Sequence, residues 1–234
     1  AMQAGHRVRV LERLPRRRDT CSFGNAGMVV PSHFVPLAAP GMVALGLRML
    51  PDPRSPFSLR PRWDPELWRW AWLFARSGTA RHVERASPLL RDLNLASRAG
   101  FVELERELGN FGLAQRGLLM LCRQEATLHE EAHLAERARE LGLQAEVLDP
   151  EGLARLDPAI RMDAAGGVYF PQDCHLSPNA FVAHLEAALE AGGAELHWGA
   201  EITSWETSGG TLRAVRTPHH RWEAEEFVLA AGAW

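Results

Sequence analysis

Three groups of residues in this chain combine types and spacings that suit chemistry. The first is Glu12, which closes the valine-rich stretch His6 to Glu12 (HRVRVLE). In a dinucleotide-binding βαβ unit a glycine-rich loop opens the first helix, and about 20 residues later an acid at the end of the second strand accepts hydrogen bonds from ribose hydroxyls. Counting back that far from Glu12 falls ahead of Ala1, so the expected phosphate loop lies upstream. The second group is the small-residue run Cys21 to Pro31 (CSFGNAGMVVP). Short side chains around Asn25, Ala26 and Gly27 would let backbone amides come close to a phosphate or a ring. Each also has a plainer reading: a solvated acid at a strand end, and an ordinary tight turn. The third group, His129-Glu130-Glu131-Ala132-His133, fits HExxH, in which two His on one helix face bind zinc and the Glu activates water. Against a metalloprotease, Glu136, Arg137, Arg139 and Glu140 crowd the same helix as on a solvated face. Downstream, only Glu151 or His175 offers itself as a third ligand, so no metal site is assigned.

The elements that would carry these residues follow from hydrophobic spacing and breakers. His6 to Glu12 alternates as a strand does. The prolines between Pro31 and Pro65 indicate a long irregular path. Helices are expected over 65–75 and 89–108, a buried strand over 118–122, an amphipathic helix over 125–141, and short strands over 145–148 and 167–170. Ser177-Pro178 reads as an N-cap followed by the first helical residue, and the helix runs to Gly192-Gly193. Strands are expected over 195–197, 212–216 and 225–231, the last (EEFVLAA) running into Gly232. Trp63, Trp68, Trp70 and Trp72 fall on more than one helix face, which favours a helix buried between layers over a membrane- or quinone-side contact. Strands alternating with helices at both ends indicate an α/β fold interrupted in the middle.

Composition narrows the function classes. A net charge of -3 offers no field for nucleic acid. All 26 basic residues are arginine, which excludes a Schiff-base or P-loop lysine within the chain. Cys21, Cys122 and Cys174 are odd in number and widely spaced, unlike a disulfide framework or a zinc ribbon. No apolar run nears the roughly 20 residues of a membrane helix. Ala1 to Gly5 reads as the last turn of a helix with its closing glycine, not as a natural start.

Taken in order, AGHRVRVLE, SFGNAGMVVP, a tryptophan-rich middle, YFPQDCHLSPNAF and FVLAAGAW resemble the D-amino-acid dehydrogenase branch of the FAD-dependent, D-amino-acid oxidase-like amine oxidoreductases. The resemblance runs through nearly the whole chain, and it implies a stretch lacking both ends of such a protein. It implies an α/β fold: a partial, Rossmann-like FAD-binding layer from residues 1–45 and 175–234, with an α+β substrate domain, 46–174, inserted. By resemblance, Glu12 and the adjoining Arg13 meet the adenosine ribose of FAD. Ser22, Asn25, Ala26, Gly27 and Met28 pass the pyrophosphate and lie along the flavin. Ile202 meets the adenine, and Ala231 and Gly232 close on the cofactor from the other side. His33 and Tyr169 are implied liners of the substrate pocket.

The implied activity is oxidative deamination of a D-amino acid, with a glycine or sarcosine oxidase as the alternative. A non-catalytic remnant is the alternative outside the enzymes. The implied partners are a small amino acid and a quinone or membrane electron acceptor, at a cytoplasmic or inner-membrane-face location. No catalytic or carboxylate-binding residue is assigned, and these 234 residues alone are expected to hold FAD weakly. The geometric expectation is that the strand ending at Glu12 and the segment ending at Gly232 lie side by side in one sheet.

Overall fold

A computed structural model describes residues 1–16, 20–52, 54–55 and 62–232. Part of the arginine-rich loop before Thr20, part of the proline-rich path and the final Ala233-Trp234 lie outside these residues. In chain order the elements are a 3-10 turn (Met2–Ala4), β1 (Arg9–Glu12), β2 (Met28–Val29), α1 (Met42–Met49), α2 (Pro65–Ser77), α3 (Ala80–Leu108), β3 (Leu118–Cys122), α4 (Glu125–Glu140), β4 (Glu146–Leu148), α5 (Pro150–Leu156), β5 (Gly166–Phe170), β6 (Cys174–His175), α6 (Pro178–Ala191), β7 (Glu195–Trp198), β8 (Ser204–Ser208), β9 (Thr211–Arg216) and β10 (Arg221–Glu223). They form two compact units: residues 1–27, 104–113 and 176–234, and residues 28–103 and 114–175.

In the first unit β1 and β7 pair in parallel, with Arg9 opposite Glu195 and Glu12 opposite Trp198. Arg7 and Arg9 both donate to the Glu195 carboxylate and hold its pKa down at about 2. α6 leads into β7. It starts where Ser177 Oγ accepts the Ala180 N–H and Pro178 sits at the first helical position. On that helix Phe181 packs against the buried Phe111 at 4.9 Å. Beyond β7, β8, β9 and β10 make an antiparallel sheet in the order β10-β9-β8, and β9 buries Ala214 and Val215.

The expected strand over 225–231 does not form. Val228 and Leu229 are 91% and 75% exposed, and among the described residues no strand pairs with this segment. Apolar composition alone does not make a strand, because a strand needs a neighbour to take its ladder hydrogen bonds. The segments ending at Glu12 and Gly232 therefore do not share a sheet, and β7 takes the place beside β1.

The second unit centres on a sheet in the order β3-β5-β4, with α4 laid over β5. Its core joins Phe34, Ala135, Ala138, Leu141, Leu143, Ala145, Val168 and Phe170. Each of the larger side chains contributes about 1.5–3 kcal/mol on burial. β3, read from sequence as buried, is an edge strand: Cys122 is buried but Leu121 is half exposed. The helix expected from residue 89 begins at Ala80, because Thr79 Oγ1 accepts the His82 N–H and the helix continues through Pro88. Proline lacks the amide for that turn, and Ser87 Oγ bonds back to the Val83 carbonyl at 2.7 Å.

α2 is not buried between layers. Trp68, Trp70 and Trp72 are each more than half exposed and Trp63 is 99% exposed. Two of its rings also make contacts within the helix: Trp70 stacks on Phe74 at 5.3 Å, and the Arg76 guanidinium lies over Trp72 at 5.2 Å. Among the described residues no helix is long and apolar enough to cross a membrane.

Candidate functional site

In the first unit Glu12 sits half-buried at the carboxyl end of β1. Its Oε1 accepts the Leu14 N–H at 2.9 Å, which turns the carboxylate back over the strand end. Its carbonyl accepts the Ala200 N–H at 2.8 Å, tying β1 to the turn that follows β7. Gly199, at φ +69°, makes that turn, and the half-buried Ile202 lies just beyond it. Both chain segments thus leave from the carboxyl ends of a parallel pair, the end at which open α/β sheets bind nucleotides. Arg13 is exposed beside Glu12. Ala231 and Gly232 are exposed and lie outside any strand, so they are not brought to this end by sheet pairing.

The small-residue run forms a turn closed on itself. Asn25 Nδ2 donates to the Ser22 carbonyl at 2.9 Å, and its Oδ1 accepts the Gly27 N–H at 2.7 Å. Gly27 has φ +68°, and a Cβ there would stand 2.1 Å from the Leu176 carbonyl oxygen. Only glycine fits, and the cause is a close pass of backbone against backbone. The Gly27 amide serves Asn25 and not a ligand, whereas Ser22, Asn25 and Ala26 stay exposed. A carboxylate at the end of a parallel pair and an exposed turn of small residues fit the adenosine and diphosphate portions of a dinucleotide.

In the second unit a cavity of about 450 Å³ is lined by residues that include Met28, Val29, His33, Asn94, Ser97 and Phe101. Met28 lies on β2, which pairs with β6, and α3 supplies Asn94, Ser97 and Phe101. Asn94 Nδ2 donates to the His33 carbonyl at 3.0 Å. Behind His33, Ser32 Oγ lies 3.2 Å from His33 Nδ1 and donates to Asp173 Oδ2 at 2.5 Å. The Ser32 N–H meets Asp173 Oδ1 at 3.1 Å. Asp173 is fully buried, and burial pushes its carboxyl above the usual range against the bonds from Ser32 and the charges of His33 and Arg98.

Sequence spacing gave no pointer to this pair, since Ser32 and Asp173 stand 141 residues apart. Tyr169 is not brought to the cavity. Its ring packs where a Cβ on Gly117 would fall, and its hydroxyl donates to the Arg116 carbonyl at 2.9 Å.

His129 and His133 lie exposed on α4, and no cluster of three or more ligating side chains occurs among the described residues. The HExxH pattern therefore has no third protein ligand among them.

The model of the family DAO, FAD dependent oxidoreductase, matches residues 1–234. A D-amino acid dehydrogenase of Rhodopseudomonas palustris is 30% identical over 99% of this chain, and one of Paramagnetospirillum magneticum is 31% identical over 98%. The chain spans about half the length of these relatives, 56% in each case. Glycine oxidase from Geobacillus kaustophilus shares the fold at a TM-score of 0.69 and 20% identity, covering 100% of this chain and 50% of that one. A parallel pair ending on a half-buried acid, a small-residue turn and a family match from end to end converge: this chain belongs to the FAD-dependent oxidoreductases of the DAO family.

Proposed function

We propose that the protein takes part in the oxidative deamination of D-amino acids. The observation that carries this reading is the identity of 30–31% along almost all of the chain to relatives named D-amino acid dehydrogenase. FAD, when bound, supplies the acceptor for the hydride that leaves the substrate Cα, and water then converts the imino acid to a keto acid and ammonia. The chain supplies binding and position. Residues 1–45 and 175–234 contribute the cofactor layer and residues 46–174 the substrate domain. Glu12 and Arg13 hold the ribose, and Ser22, Asn25, Ala26, Gly27 and Met28 line the path of the diphosphate and ring. Ile202 faces the adenine, and Ala231 and Gly232 close the other side. The cavity beside Met28 and His33 receives the amino acid, with the Ser32–Asp173 pair fixing the orientation of His33.

Mixing the intact protein with D- and L-alanine in the absence of oxygen tests this. Bleaching of flavin absorbance by the D isomer alone is the expected result. Bleaching by glycine or sarcosine in preference would favour the oxidase alternative, and absence of flavin from the intact protein would indicate a non-catalytic remnant.

We also propose a quinone acceptor reached at a membrane surface. Support comes from α2, which presents Trp68, Trp70 and Trp72 with Arg69 and Arg76 to solvent, and from α1, which presents Val43, Leu45 and Leu47. Tryptophan with arginine is the pairing that suits a bilayer interface. Co-sedimentation with anionic liposomes should fall in the Trp68→Ala/Trp72→Ala variant. Equal binding by both proteins would remove the reading. Faster flavin reoxidation by oxygen than by a soluble quinone would overturn the acceptor.

A further inference from the structure

The exposed face of α4 carries a pair of imidazoles that the oxidoreductase reading does not use. His129 and His133 are one turn apart, and their Nε2 atoms converge to 3.1 Å with the rings tilted at 77°. Two imidazole nitrogens bound to one ion at about 2.0–2.1 Å stand roughly 2.9–3.4 Å apart, from square-planar to tetrahedral angles. The observed separation falls inside that interval without any movement of the helix.

The outer nitrogen of one ring is also set. His133 Nδ1 lies 3.4 Å from Glu136 Oε2, one turn further on. A proton held on Nδ1 by that carboxylate leaves the lone pair on Nε2, facing His129. A carboxylate behind a ligating imidazole is the usual outer support of a metal-bound histidine, fixing its tautomer and raising its basicity. Glu125 stands one turn before His129, so acidic residues flank the imidazoles on both sides at helical spacing. Beneath them α4 is anchored by Ala135 and Ala138, both fully buried, so the backbone that spaces the two rings is held in place.

We propose that His129 and His133 form a two-point clamp for a divalent late transition metal such as Ni²⁺ or Zn²⁺. Water or an outside ligand completes the coordination. The clamp is a two-ligand site, since no cluster of three or more ligating side chains occurs among the described residues. It is independent of the flavin chemistry.

Titration of Ni²⁺ alone into the intact protein, followed by calorimetry in a non-chelating buffer, tests the clamp. One ion per chain is expected. His129→Ala and His133→Ala should each weaken binding by about tenfold or more, since either change removes one of two joined contacts. Glu136→Gln should weaken it by up to about tenfold. Both His changes lie on an exposed helix face and put the best helix former there, so circular dichroism should stay unchanged. A His219→Ala/His220→Ala control should bind as the wild type does. Wild-type affinity in the His129→Ala/His133→Ala double variant, or loss of binding in the control, would overturn the proposal.

Discussion

Burial strips water from the Asp173 carboxylate, and the two neutral donors that Ser32 supplies only partly offset that loss. The result is a carboxyl that holds its proton more tightly when folded than the ordinary value of about 3.9. Its stabilising contribution is complete below that value and is lost as pH rises through the raised folded pKa. Asp173→Asn is neutral at every pH. The melting-temperature advantage of the wild type over this variant should therefore be greatest in acid and shrink as pH rises; a constant difference would refute the raised pKa. Gly27 tolerates no side chain. Alanine there must adopt a left-handed backbone, at about 1–2 kcal/mol, and also push against the Leu176 carbonyl. Urea denaturation of Gly27→Ala should show at least that loss, together with weaker flavin retention by the intact protein.

Elements set by their own sequence were legible, and those set by a distant partner were not. Ser177-Pro178 announces a helix start, because cap and first residue are adjacent in the chain. The segment 225–231 has the composition of a strand, but only a neighbour could make it one. The tryptophans of α2 looked like core because they fall on more than one helix face, yet each is more than half exposed, since facing does not reveal whether another layer lies against the helix. Glu12 and the small-residue turn were legible as candidates from their spacing. The Ser32–Asp173 pair was not, since a single close contact across 141 residues leaves no local mark. An exposed ion pair flanks the parallel pair β1–β7 at Glu195, whose carboxyl Arg7 and Arg9 hold down at about 2. That support is present above about pH 4.3, the ordinary glutamate value, and is lost as pH falls toward 2. Glu195→Gln should lower the melting temperature at neutral pH, less so in high salt because the pair is exposed, and not in strong acid.

Across the whole molecule the three cysteines are distributed unevenly. Cys21 is exposed in the first unit, while Cys122 and Cys174 are buried in the second. Desolvation, with Glu131 nearby, also raises the pKa of the Cys122 thiol, so it has little thiolate even when reached. A native thiol count with a maleimide should give one fast reaction and two slow ones, and Cys21→Ser should abolish the fast phase alone. Reactivity of the slow pair then becomes a clock for opening of the second unit, read by mass without any introduced label. A substrate seated beside Met28 and His33 ought to slow that clock and leave Cys21 untouched, giving a way to detect occupancy even when no turnover is seen.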